Sequence, residues 1–252
     1  MILGPTFAEM RDPSLLDPSL RESARAARAR PLDPLNLFNI SWKADSEVSF
    51  TVLPEALTGV AAPIVVLCGR GFPTGSHKVG PAYSILIEKQ LEGACDPDAH
   101  TLIFPSTGNF GIGGAWVGPR MGYRSLVVLP EEMSTERFEM IRGYGADVIA
   151  TTGSESNVKE IYDEVRELRK VPENRILNQF QEFANYRFHF HCTAAAVLEA
   201  AETIDTPVAA FVSAAGSAGT LAAGEAIKTR FPSAVTVAAE PRQCPTLYNV
   251  GF

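Results

Sequence analysis

The sequence predicts an α/β fold built on a parallel sheet, and three observations carry that prediction. Its apolar runs are short and unbroken by polar residues, as in APIVVLC (62–68), TLIFP (101–105) and SLVVLP (125–130). Strands covered on both faces read this way. Segments with helical apolar spacing, such as PAYSILIEKQLEG (81–93), stand between them, so crossover helices can join parallel neighbours. Glycine-rich turns follow three of the strands, at GFPTGSHK (71–78), PSTGNFG (105–111) and AAGSAGT (214–220). In open α/β sheets these turns, at the carboxyl ends of the strands, form the ligand site.

Composition narrows the function classes. The 252 residues are 46% hydrophobic and 20% charged, with a formal net charge of −7. That is ample material for a core and a poor match to a nucleic-acid partner. No segment offers the roughly 18 apolar residues of a membrane span, and MILGPTFAEMRDP has too short an apolar run for a signal peptide. A cytoplasmic location and no membrane partner are therefore expected. Cys68, Cys95, Cys192 and Cys244 are scattered, without a C-x-x-C pair, so idle thiols are expected rather than a disulfide framework or a zinc knuckle.

The elements follow in order. RESARAARARP (21–31) puts Arg21, Arg25 and Arg28 on one helical face, expected to be solvated. A mitochondrial presequence avoids acids such as Glu9, Asp12, Asp17 and Glu22. Residues 1–40 form an N-terminal extension whose end is marked by Pro31 and Pro34. After the strand at 62–68, the helix at 81–93 has Pro at its start and Gly at its end. Strands at 101–105 and 125–130 precede a helix capped by Ser134 and ending at Gly143 or Gly145. DVIATT (147–152), the charged helix NVKEIYDEVRELRK (157–170), ILNQF (176–180), an alanine-rich helix from Thr193, PVAAFVSAA (207–215), a helix after GSAGT, and AVTVAAE (234–240) complete the alternation.

The three turns carry the chemistry. A phosphate-cradling P-loop needs Lys directly after Gly and a hydroxyl directly after Lys. Here Ser76 and His77 separate Gly75 from Lys78, and Val79 follows, so that reading fails. A dinucleotide fingerprint is closer: Gly111-Ile112-Gly113 follows a strand, and Glu131 lies about 20 residues on, where a ribose-binding acid could sit. Trp116 stands where the third glycine belongs, which leaves an NAD-binding oxidoreductase as an alternative. GSAGT offers successive backbone N–H groups, with the hydroxyls of Ser217 and Thr220, at a helix N-terminus suited to one phosphate. His189, His191 and Cys192 are read as structural and no metal site is predicted, because residues two apart diverge on a helix. Trp116 and Phe180, Phe183, Phe188 and Phe190 are expected in the core, and His77 is expected to point away from the lysine. Together the turns supply the parts of a pyridoxal 5'-phosphate site. These are an amine for a Schiff base (Lys78), an amide for the ring hydroxyl (Asn109), and an anion cradle (Gly216, Ser217, Ala218, Gly219, Thr220).

In order and spacing the set resembles the cysteine synthase and cystathionine β-synthase family of pyridoxal phosphate enzymes, fold type II. Ser76-His77-Lys78 is similar to the family's Ser-x-Lys, and TGSHKV also to the tryptophan synthase β version. Ser106-Thr107-Gly108-Asn109 matches the substrate loop, and Gln179 in NQFQEFAN the residue that faces the substrate carboxylate. His189 with Thr193 fits the following His-Tyr-x-x-Thr, and Gly216–Thr220 the Gly-Thr-Gly-Gly-Thr phosphate loop. The resemblance implies two parallel-sheet α/β subdomains with the cofactor cleft between them. Residues 41–186 would carry the Schiff-base lysine and substrate loop, and 187–252 the start of the phosphate-binding subdomain. It implies β-replacement or β-elimination on a serine-type amino acid, through an aminoacrylate, by a lyase or transferase that forms a homodimer. Ser106, Thr107, Gly108 and Gln179 would hold the substrate. A serine or threonine deaminase-like lyase and a non-catalytic homologue are the alternatives within the fold. Four departures stand out. Val79-Gly80 follow the lysine, Phe110 replaces a threonine that helps hold the carboxylate, and Ala218 replaces a glycine where a negative φ is then required. The family also continues past AAEPRQCPTLYNVGF to a Ser or Thr that bonds the pyridine nitrogen, so the chain is expected to be a fragment, truncated at its C-terminus.

Overall fold

The alternation of runs and helices is realised in a computed structural model that describes residues 4–44, 46–154, 157–242 and 247–248. Cys244 and the last four residues lie outside that range. The N-terminal segment begins with helix α1 (Phe7–Arg11), where Thr6 and Glu9 satisfy each other's backbone N–H groups in a capping box. Helix α2 (Pro18–Ala27) has Pro at its first position and is capped by Asp17, whose Oδ1 accepts from the N–H groups of Ser19 and Leu20. Ala24 and Ala27 are buried while Arg21, Arg25 and Arg28 are exposed, though Arg28 is not merely solvated: its Nε donates to Asn39 Oδ1 at 3.1 Å. The rest of this segment is built into the body. Met10, Leu37 and Ile40 are buried in the main core. The Tyr83 hydroxyl donates to the Pro5 carbonyl at 2.8 Å, and the Trp116 indole to that of Pro31 at 3.0 Å.

Strand β1 (Phe50–Leu53), the short helix α3 (Glu55–Thr58) and strand β2 (Ile64–Leu67) form an antiparallel pair, with Phe50 opposite Leu67 and Leu53 opposite Ile64. The run at 62–68 is thus a strand, as expected, but not a member of the parallel sheet. An apolar run of four residues does not say which partner it takes. Here the connection is short enough for an antiparallel return, turned by Gly59 at φ +72°. Ile64 and Val66 are exposed on one face.

The parallel sheet is built by helix α4 (Val79–Leu91), strand β3 (Thr101–Pro105), helix α5 (Asn109–Arg120), strand β4 (Arg124–Pro130), helix α6 (Thr135–Gly143), strand β5 (Asp147–Thr151), helix α7 (Val158–Leu168) and strand β6 (Asn174–Ile176). The strands lie in the order β5-β4-β3-β6, all parallel. Alternate side chains take opposite faces. Leu102, Phe104, Val127 and Leu129 join the main core with α4 and α5, while Ile103 and Val128 pack against Ile161 and Val165 of α7. The unbroken apolar runs follow from this double coverage. Of ILNQF only Ile176 is in a strand; Asn178–Gln181 form a turn closed by Gln181 N–H on the Asn178 carbonyl.

The next helix starts ten residues before Thr193. Helix α8 (Phe183–Phe188), a π turn over His189–Thr193 and helix α9 (Ala194–Thr203) form one continuous run. The aromatic residues of α8 hide it from periodicity. Phe188 is fully buried, but Phe180 and Phe183 are 57% and 61% exposed, so those two do not join the core. Phe183 instead stacks on Tyr186, 4.7 Å between centroids. Strand β7 (Ala210–Ala214), helix α10 (Gly219–Arg230) and strand β8 (Val235–Ala239) add a two-stranded parallel sheet, with a small core of Ala194, Ala223, Ala226, Ile227 and Ala234. Cys68, Cys95 and Cys192 are free thiols, and no helix among the described residues is long and apolar enough to cross a membrane.

Helix α5 lies so close to the sheet that a Cβ on Gly114 would stand 2.3 Å from the Phe104 ring. Gly114→Ala should therefore destabilise the protein by about 1–3 kcal/mol, the cost of overpacking a full core. Gly143→Ala, where nothing lies within 4 Å, should be neutral or slightly stabilising. Urea unfolding of both variants checks the contrast, and equal effects would contradict it.

Candidate active site

The turn GFPTGSHK is shaped by its own backbone. Gly75 takes φ +69°, open to glycine at no steric cost, and its N–H donates to the Phe72 carbonyl. Ser76 Oγ accepts from the N–H of Lys78, which is the N-cap residue of α4. Two glycines bring the neighbouring helices onto this point. A Cβ on Gly113 of α5 would stand 3.0 Å from the Lys78 carbonyl oxygen and from Val79 Cα, and one on Gly80 would fall 2.1 Å from the Phe188 ring of α8.

The lysine reaches across this junction. Its Nζ donates to Gln179 Oε1 at 2.9 Å and to Ser217 Oγ at 2.8 Å. Desolvation by burial lowers the amine's pKa from 10.5 to about 8. Gln179 lies in the turn after β6, where Asn178 Oδ1 accepts from the Phe180 N–H. Asn185 of α8 closes the group: its Nδ2 donates to the Gln179 backbone carbonyl at 2.8 Å and to Ser217 Oγ at 2.9 Å.

Ser217 belongs to the turn between β7 and α10. Among the described residues, no acceptor engages the N–H groups of residues 216–221; the first to bond back is that of Ala222, on the Ala218 carbonyl. This leaves a row of donors at a helix start, where an anion is favoured. Gly216 and the N-cap residue Ala218, at φ −71°, leave the row open, and alanine tolerates that φ. Gly219 lies against the His189 ring, 3.2 Å from where its Cβ would stand. Thr220 is 1% exposed and its Oγ1 donates to the Ala214 carbonyl, while Ser217 Oγ faces Lys78 and Asn185.

The loop after β3 is held separately. Ser106 Oγ accepts from the Gly108 N–H, and Arg137 of α6 donates to the Thr107 carbonyl at 2.9 Å. Asn109, the first residue of α5, is exposed. None of Ser106, Thr107, Gly108 and Asn109 hydrogen-bonds to Lys78. Phe110 turns into the core, edge-on to Phe104 at 6.0 Å. Gly111 and Gly113 lie inside α5, packed against Val127 and the start of α4, and Trp116 is fully buried. Their close packing, rather than a dinucleotide turn, accounts for the glycines.

Three aromatic rings back the lysine turn. His77 stacks on Trp42 at 5.6 Å and meets His189 edge-on at 5.4 Å. The Trp42 indole donates to Thr193 Oγ1, which lies 3.0 Å from His189 Nδ1. Burial, reinforced by the Lys78 charge, lowers the His77 pKa to about 4, and burial likewise holds His189 well below the ordinary histidine value. Cys192 Sγ contacts the Phe7 carbonyl, its pKa pushed up to about 12 by burial. Sequence reasoning missed Asn185 and Arg137. The signal for Asn185 was a single amide inside the aromatic stretch FANYRF.

Residues 55–251 match the family model of pyridoxal-phosphate dependent enzymes. The chain is 35% identical over 176 residues to a probable cysteine synthase of Bacillus subtilis, covering 69% of this chain and 56% of that protein. It is 34% identical over 190 residues to a cysteine synthase of Staphylococcus aureus, covering 74% and 59%. The solved O-acetyl serine sulfhydrylase isoform 3 of Entamoeba histolytica superposes with a TM-score of 0.67 at 27% identity, over 77% of this chain and 58% of that one. The chain thus spans somewhat more than half the length of these relatives.

The lowered pKa makes a direct prediction for the ligand-free protein. Acylation of Lys78, followed by peptide mass spectrometry as a function of pH, should be half-maximal near pH 8. Lys159, whose pKa is raised by its hydrogen bond to Asp163, should reach its midpoint at a distinctly higher pH. A common midpoint for both would contradict the assignment.

Proposed function

Since the chain belongs to the family of pyridoxal-phosphate dependent enzymes, we propose that it carries out β-replacement or β-elimination on a serine-type amino acid, in the manner of a cysteine synthase. The observation that carries the reading is the Lys78 amine, with its pKa lowered to about 8, held 2.8 Å from Ser217 in a turn lined with free N–H groups. The donor set fits the cofactor: an amine to bind the aldehyde carbon, and a row of backbone donors at the start of α10 for a phosphate.

In this reading Lys78 holds the cofactor through Nζ, and the N–H groups of Gly216, Ser217, Ala218, Gly219 and Thr220 receive its phosphate. Asn109 orients the ring, and Ser106, Thr107, Gly108 and Gln179 hold the amino acid. When bound, pyridoxal 5'-phosphate supplies an electron sink for the charge left at Cα. Lys78 supplies the base. At pH 7 about a tenth of an amine of pKa 8 is neutral, against about one part in three thousand at 10.5, so desolvation raises the competent fraction by more than two orders of magnitude. Its two acceptors are a neutral amide and a neutral hydroxyl, and a neutral acceptor stabilises an ammonium less than a carboxylate would. Departure of the β-substituent and addition of a thiol or sulfide at Cβ complete a replacement; elimination instead releases the unsaturated amine, which water hydrolyses at the imine carbon to a keto acid and ammonia. Resemblance to the cysteine synthases supports a cytoplasmic homodimer acting on a small amino acid.

Titration of the purified chain with pyridoxal 5'-phosphate tests the reading. A saturable visible band, fixed by borohydride onto Lys78, is expected, together with turnover of an O-activated serine with sulfide. Lys78→Ala should abolish the band and cut turnover by on the order of 10²–10⁴-fold without lowering the melting temperature. Asn109→Ala should keep the band and lower kcat. Unchanged turnover in Lys78→Ala would sink the proposal.

A further inference from the structure

Asn185 is fully buried, and its carboxamide touches both residues that accept from the lysine without touching the lysine itself. The sense of the amide is set by chemistry. The Gln179 backbone carbonyl can only accept, so the atom facing it is Nδ2, and Oδ1 is left without a partner. Ser217 Oγ consequently accepts twice, from Asn185 and from Lys78, and its own proton has no acceptor among the described residues. A hydroxyl pinned in this way has its oxygen fixed and its proton free to be donated.

The platform under Asn185 is rigid. Helix α8 is tied to α4, whose N-cap residue is Lys78, by Arg187 Nε on Glu88 Oε1 at 2.7 Å and by Lys89 on Glu182 at 2.9 Å. The Phe188 ring fills the space that a side chain at Gly80 would need. The amide is therefore carried by a helix fastened to the one that follows the lysine, while Gln179 and Ser217 come from loops.

We propose that Asn185 is a positioning residue that fixes the Ser217 hydroxyl and the Gln179 turn against Lys78, so that the Ser217 proton is presented to the cofactor phosphate. The inference rests on the pyridoxal phosphate reading above. Asn185 acts through Ser217 rather than on the cofactor, so the effects of removing the two side chains must fail to add.

The test is a double-mutant cycle on the full chain, read as the dissociation constant for pyridoxal 5'-phosphate from its absorbance, with thermal melts of every variant. Asn185→Ala and Ser217→Ala should each weaken binding about tenfold, the size of one well-placed hydrogen bond. The double variant should bind like Ser217→Ala alone. Wild-type affinity in Asn185→Ala, or a double variant weakened by the product of the two single effects, would overturn the inference. Should Asn185→Ala fail to melt cooperatively, Asn185→Asp replaces it in the cycle. It keeps the volume but removes both donors and turns the Ser217 proton toward itself, so the same weakening is expected and wild-type affinity again overturns the inference. If the wild-type chain shows no saturable binding while melting cooperatively, the cofactor reading itself falls and takes the inference with it.

Discussion

The site depends on one close approach, that of the first turn of α4 to α5 with no side chain between them. Gly113 admits the Lys78 carbonyl and Val79 Cα to within contact of its own backbone, while Gly114 seats the same helix on Phe104 of β3. One helix is thereby pressed against both the sheet and the reactive turn. Every position around the lysine is measured from that junction: the loop after β3 because α5 begins there, and Gln179 because β6 pairs with β3. A larger residue at 113 would meet backbone rather than the tip of a flexible chain, so it could be accommodated only by moving the lysine.

Charge is distributed to suit. The ion pairs that fasten α8 to α4, Glu88 with Arg187 and Lys89 with Glu182, lie along the flanks of the helices. Lys78, at the start of the same helix, has only neutral acceptors at its amine. Strong pairing is used where the two helices meet and is absent at the lysine amine. A carboxylate in place of Gln179 would stabilise the ammonium and return the pKa toward or above its ordinary value.

Legibility in the sequence followed the range of the interactions involved. TLIFP and SLVVLP could be read because double coverage leaves an unbroken apolar run, and Lys78 because a glycine-rich turn between strand and helix is a local pattern. The partner of IVVL could not be read, since four apolar residues fit an antiparallel pair as well as a parallel sheet. Helix α8 escaped because its sequence, FANYRF, is aromatic on both its exposed and its buried sides: Phe183 faces solvent and Phe188 the core. Asn185 and Arg137 owe their roles to partners 32 and 30 residues away, and no spacing rule reports a contact of that kind. The glycines of NFGIGGAWVG could be read as important, but their reason, backbone passing over strands and over Lys78, needed the third dimension.

The anchoring of the N-terminal segment has a consequence for the order of assembly during synthesis. The carbonyls of Pro5 and Pro31 accept from Tyr83 and Trp116, which follow them by 78 and 85 residues, and Phe7 meets Cys192. These stretches leave the ribosome long before the groups that receive them exist. Closing so long a loop costs only slightly more than closing a short one, but it must wait for translation to reach α4, α5 and the π turn. Until then Met10, Leu37 and Ile40 have no core to enter. Once it settles, the segment braces from outside the same helices that set the lysine.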